Sequence, residues 1–245
     1  MSEGTKYVNG IEALLDLDLQ RDIVIFSGEH EDHFLRLQSL LRCSIEHCDA
    51  AFTVARHGNI LSALALSRTA LEHALLARYL DQVPHGHSLS EYAVDKHLTD
   101  MCRMAEGAGS LAASGDLRKL IKHSKKEHDQ VPTSANTLIE KFAQAHLLKH
   151  LYFLLSQSSH PISAFQQYVE LDASGSKRQI RRRALNQDLE SVTPFLFQIL
   201  SIALLTDASM SGDKALEEAV FEIAAQTFTV QDLVITIIQE PPATS

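Results

Sequence analysis

Two sets of polar side chains stand inside otherwise apolar helical segments, and they supply a guanidinium, a carboxylate, a phenol and an imidazole. Arg68 and Glu72 lie four residues apart within Ile60–Tyr79, while Lys149, Tyr152, Ser156 and His160 follow at steps of three, four and four within Leu138–His160. With about 100° of turn per residue, Glu72 falls about 40° from Arg68, on the side that carries Leu61, Leu64, Leu75 and Tyr79. The second set lines one side of its own helix. Burying ions and hydroxyls is costly unless they find partners, so the pattern implies an internal network or a site.

His160 precedes Pro161 at a helix end, where the helix dipole favours the imidazolium and burial opposes it. Facing Arg68 and Glu72 it would serve as an acid or base near neutral pH. Two structural readings compete: an Arg68–Glu72 clamp to a neighbouring helix, and a capping histidine that sets the turn at Pro161.

The elements that must position these groups follow from the spacing of apolar residues. Phe34, Leu37, Leu41, Ile45, Cys48 and Phe52 predict an amphipathic helix over 31–56, closed at His57-Gly58-Asn59. A second helix runs from the Asn59 cap to Asp81, and so short a connection makes the pair an antiparallel hairpin. Ser90 opens a third helix that fades at Gly107, and 116–128 is a basic surface helix. The segment from Ala135 to Ser159 is apolar nearly all round and is expected to be the central helix, ended by Pro161. A short helix over 162–171, a loop over 172–177, helices over 184–205 and 213–227, and an ambiguous 230–238 complete the chain. Residues 1–28 read as a partly ordered arm with a short helix at 11–19 and an extended Ile23–Phe26. Residues 29–239 form one helical-bundle domain, and 240–245 a disordered tail. The fold class is all-α: a helical bundle with the hairpin packed on the central apolar helix.

Composition agrees with a globular protein: 245 residues, 45% hydrophobic, 22% charged, few Gly and Pro, and no Trp. Three cysteines, Cys43, Cys48 and Cys102, form neither a disulfide framework nor a four-cysteine zinc site, which fits a reducing cytoplasm. No signal peptide or uninterrupted apolar span of about 20 residues is present, so the expectation is a cytoplasmic protein without a membrane. The net charge of −9 opposes wholesale coating of nucleic acid, yet 10 of the 22 basic residues cluster at 118–126 and 177–183.

Ser67-Arg-Thr-Ala-Leu-Glu-His73 followed by Tyr152-Phe-Leu-Leu-Ser-Gln-Ser-Ser-His-Pro161 resembles a widespread group of uncharacterised bacterial all-helical proteins related to the HEPN superfamily. That superfamily consists of helical bundles and includes RNA-cleaving toxins and defence proteins. The resemblance spans about residues 31–170 and carries Arg68, Glu72, Tyr152, Ser156 and His160 into the matching positions. It implies Arg68 gripping a phosphate of RNA or a nucleotide, Glu72 orienting Arg68, Tyr152 and His160 at the reacting or recognised group, and Ser156 as a binding residue; Lys149, in line with them on its helix, is a further candidate for binding. The RNA-cleaving signature, Arg then His with four to six residues between them, is met by Arg68 and His73, but these stand about 140° apart on the helix. It is absent upstream of His160, where Phe153, Leu154 and Leu155 occupy the Arg positions.

Three functions therefore stand open. The first is a HEPN-like protein binding or cleaving RNA or a nucleotide, with catalysis undecided. The second is a defence or stress-response interaction protein whose polar network is structural, with 195–205 as a homodimer surface. The third is a metalloenzyme, suggested by 13 histidines, including His30/His33, His146/His150 and the run Glu46-His47-Cys48-Asp49. No Glu-x-x-His pair of a di-iron bundle occurs, and neither metal ligands nor a cofactor is assigned. A catalytic serine lacks its Gly-x-Ser-x-Gly elbow, and no phosphate-binding glycine loop is present.

Overall fold

The computed structural model describes residues 3–21, 31–83, 85–120, 132, 134–143, 145–156, 169–171, 178–180 and 189–227. Helix α1 spans Glu3–Leu19, α2 Glu31–Arg56, α3 Ile60–Gln82, α4 Gly86–Gly107, α5 Leu111–Leu120, α6 Ala135–Ile139 and α7 Ala145–Ser156. Strands β1 (Val169–Leu171) and β2 (Arg178–Ile180) pair antiparallel, with Val169 opposite Ile180. Helices α8 (Thr193–Ser211) and α9 (Lys214–Thr227) follow a single 3₁₀ turn at Leu189–Ser191. The described residues form an all-α bundle of nine helices beside this two-stranded ribbon.

The α2–α3 hairpin forms as its sequence implies. Gly58 takes the left-handed conformation (φ 78°) that ends α2, and Asn59 Oδ1 accepts from Ser62 N to cap α3. Small residues let the two helices approach closely: Ser44, Cys48, Ala51 and Ala55 on α2, and Ala63, Ala70, Ala74 and Ala77 on α3, are buried. The Ser44 hydroxyl donates to the Ala70 carbonyl at 2.9 Å across the interface.

The hairpin packs chiefly on α8, not on the 135–159 segment, which corrects the expected centre of the bundle. From Leu196 to Leu205 every residue of α8 except Gln198 is buried. A helix apolar on all sides is satisfied only when surrounded, and α1, α2, α3 and α9 surround it. The face expected to dimerise is thus interior. Both α3 and α8 are long and apolar enough to cross a membrane by length and composition; in this bundle they pack against one another.

Residues 135–156 are not one helix. Ser134 caps α6 by accepting from Thr137 N, the chain turns at Glu140–Ala143, and α7 begins at Ala145. A continuous helix would aim Leu138, Ile139 and Phe142 about 150° away from Leu148, Leu151 and Leu155. The break lets both groups, all buried, face the same core.

Other departures share that cause. The N-terminal arm is a 17-residue helix because Ile11 and Leu14 enter the core and Gly10 lets α1 lie against Phe197 and Thr227. Helix α4 starts four residues before Ser90, and Val169–Leu171 is strand rather than helix because it pairs with β2. The expectations for 23–26, 121–128, 157–168, 172–177, 184–188 and 230–245 lie outside the described residues.

Candidate functional site

Arg68, Glu72 and Tyr152 meet across the α3–α7 interface, 80 residues separating the last two. Arg68 Nε donates to Glu72 Oε1 at 3.1 Å, and the Tyr152 hydroxyl donates to the same oxygen at 2.9 Å. The guanidinium carbon sits 4.7 Å from the Tyr152 ring centroid, a cation–π stack. The carboxylate orients the cation by its edge and the ring holds it by its face.

This cluster is half-buried rather than buried, which corrects the premise of a row deep in hydrocarbon: the Arg68 and Glu72 side chains keep 33% and 38% of their exposure. Burial first, then the Glu72 hydrogen bond and charge, raise the Tyr152 pKa above its usual value near 10. At neutral pH Tyr152 is therefore a hydrogen-bond donor and not a base.

The other proposed members separate. Lys149 is exposed and donates to Glu140 Oε1 at 2.8 Å, so it belongs to the outer face of α7. Ser156 is buried and donates to the Tyr152 backbone carbonyl at 2.6 Å, which commits its hydroxyl to the helix. His160 lies outside the described residues. Of the basic stretches, Arg118 pairs with Glu106 and Lys119 with Asp116 (2.8 Å).

His73 is turned away from Arg68, as the 140° separation requires. Its ring lies 5.6 Å from that of His47 on α2, and its Nδ1 is buried with no hydrogen-bond partner among the described residues. Burial, then His47, lower its pKa against a smaller opposing pull from Glu72. Arg68 and His73 thus face different neighbours. Among the described residues no three His, Cys, Asp or Glu side chains come close enough to hold a metal ion.

Two polar clusters escaped the reading of the sequence. Asp207 is buried within α8, where Arg21 Nη1 (2.6 Å), Arg42 Nη2 (3.1 Å) and Gln38 Nε2 donate to its carboxylate. Arg42 also clasps Asp18 at 2.7 and 2.8 Å, and Arg21 reaches Asp213 at 3.5 Å. The signal was present: Asp207 is the single charged residue of Thr193–Ser211.

In the second cluster His33 Nδ1 lies 3.0 Å from Ser90 Oγ, and Arg36 Nη1 donates to it at 3.3 Å. Ser90 is buried and donates its own proton to the His87 carbonyl at 2.8 Å. His33 must then donate to Ser90, so this pair is a structural joint between α2 and α4 rather than an activated serine.

Comparison with known proteins adds a family without a function. No curated protein and no solved structure matches the chain. Residues 35–177, more than half of it, match a family described as a family of unknown function (DUF5677). The chain belongs to that family, and the match takes in Arg68, Glu72 and Tyr152.

Proposed function

We propose that this is a HEPN-like cytoplasmic protein, not bound to membrane, that binds RNA or a nucleotide through a phosphate at Arg68. The observation that carries the reading is the two-sided hold on the guanidinium: Glu72 at its Nε edge and Tyr152 beneath its face. A third of the Arg68 side chain still reaches solvent. A guanidinium fixed in this way is pre-organised for a phosphate, because its planar fork matches two phosphate oxygens and its rotamer freedom is already lost. Tyr152, protonated, adds a donor beside it. Binding is the better-supported half of the reading, since Glu72 Oε1 already accepts from both Arg68 and Tyr152 and so serves to orient them.

A panel of RNA and nucleotides, titrated against wild type and Arg68→Ala at two salt concentrations, tests it. Salt-sensitive binding by wild type that Arg68→Ala abolishes in a folded protein is the expected result. Absence of binding by wild type, or equal binding by the variant, removes the proposal.

A second reading is favoured by one observation: Glu72 Oε1 already accepts from both Tyr152 and Arg68, which ties α3 to α7. On that reading the chain is an interaction protein and the triad a helix clamp. Loss of stability in Arg68→Ala without any RNA or nucleotide binding by wild type would select it.

A further inference from the structure

We infer that the outer face of α7 is a stacking platform for single-stranded nucleic acid, continuous with the Arg68–Tyr152 cluster; this rests on the phosphate-binding reading above. His146, Lys149, His150 and Phe153 are all exposed and recur at steps of three, one and three. On the helix they fall within about 100° of arc, and Tyr152 lies about 60° beyond Lys149 at the edge of that stripe. Phe153 keeps 59% of its surface exposed, an unusual state for an aromatic side chain in a helix whose Leu148, Leu151 and Leu155 are buried.

The chemistry of the face selects the occupant. Helix α7 contains no Asp or Glu, and the carboxylate of Glu140 beside the stripe is held by Lys149. Two imidazoles and an ammonium around an exposed phenyl ring provide hydrogen-bond donors for phosphates and flat surfaces for bases. An apolar protein partner would bury the imidazoles of His146 and His150 with no hydrogen-bonding group to replace water. A polyanion with flat bases satisfies both halves of the face. The stripe rises about 10 Å along the helix, room for two or so nucleotides beside the one whose phosphate Arg68 holds. Recognition by stacking tolerates any base, so little sequence preference is expected.

The test measures fluorescence anisotropy of labelled oligouridylate and oligoadenylate of about eight nucleotides, with a uridine dinucleotide as the short probe. Wild type, Phe153→Ala and Arg68→Ala are compared. Phe153 is exposed, so its truncation leaves the fold intact, which circular dichroism verifies. The inference predicts that Phe153→Ala weakens the octamers about 5- to 100-fold and the dinucleotide far less, and that the two octamers bind alike. Octamer affinity unchanged in Phe153→Ala overturns it, even where Arg68→Ala abolishes binding and the phosphate site stands. Loss in Phe153→Ala with none in Arg68→Ala would retain a platform on α7 but overturn its continuity with the Arg68 site and the phosphate reading. Absence of oligonucleotide binding by wild type overturns both, as does Phe153-dependent self-association in sedimentation velocity without RNA binding.

Discussion

Tyr152 on α7 donates its hydroxyl to Glu72 on α3 at 2.9 Å, and the same carboxylate oxygen takes the Nε–H of Arg68 at 3.1 Å. One oxygen therefore joins two helices and fixes the direction of a cation. Removing the phenol hydroxyl separates these roles. Tyr152→Phe keeps the ring under the guanidinium and loses the interhelical bond, which should lower stability by about 0.5–1.5 kcal/mol in urea denaturation. Because the folded state holds the Tyr152 pKa above its unfolded value, its contribution is full below pH 10 and is lost as pH rises through the folded pKa. Wild type should lose more stability than Tyr152→Phe over that alkaline window. Equal losses would mean that Tyr152 does not titrate as its surroundings require.

The His47–His73 pair makes a prediction at the acid end. His73 has a lowered pKa, chiefly from burial and next from His47, so the folded state resists its protonation. The associated stability is present above the unfolded value of 6.5 and is lost as pH falls through the folded pKa. In NMR titration the His73 ring should protonate below 6.5, and His47→Gln should move its midpoint upward. No movement would remove His47 as a cause.

Asp207 holds Arg21, Arg42 and Gln38 from inside the core. Asp207→Ala removes the carboxylate that two guanidinium groups share, while Arg42 keeps Asp18 and Arg21 keeps Asp213, so the loss of its charged hydrogen bonds should cost about 1.5–3 kcal/mol. The urea midpoint should fall by that equivalent. A change of less than about 1 kcal/mol would show that Asp18 and Asp213 suffice to hold the two arginines.

Gly10 tests how α1 is seated. A Cβ there would lie 2.6 Å from Thr227 Oγ1 and 2.7 Å from Phe197 Cε2. Alanine favours a helix interior by about 1 kcal/mol over glycine, yet overpacking costs about 1–3 kcal/mol. Gly10→Ala should therefore be neutral to destabilising in urea denaturation. Stabilisation by Gly10→Ala would place α1 farther from α8 and α9 than described.

The amino-acid sequence by itself determined the hairpin of α2 and α3, its turn at Gly58, and the presence of Arg68 and Glu72 on one side of α3 close to one another. These depend on spacing within a single helix, where 3.6-residue periodicity decides which side chains share a face. The pairing of Tyr152 with Glu72 was legible as an expectation, because both stood as polar exceptions on apolar helices. Only the tertiary structure decided that Lys149 turns outward, that Ser156 bonds its own helix, and that His73 faces α2. It also made α8 the centre and divided residues 135–156 into two helices. An all-apolar segment carries no directional signal, so its place is set by what surrounds it. The helix break arises because two apolar faces of different phase must reach one core.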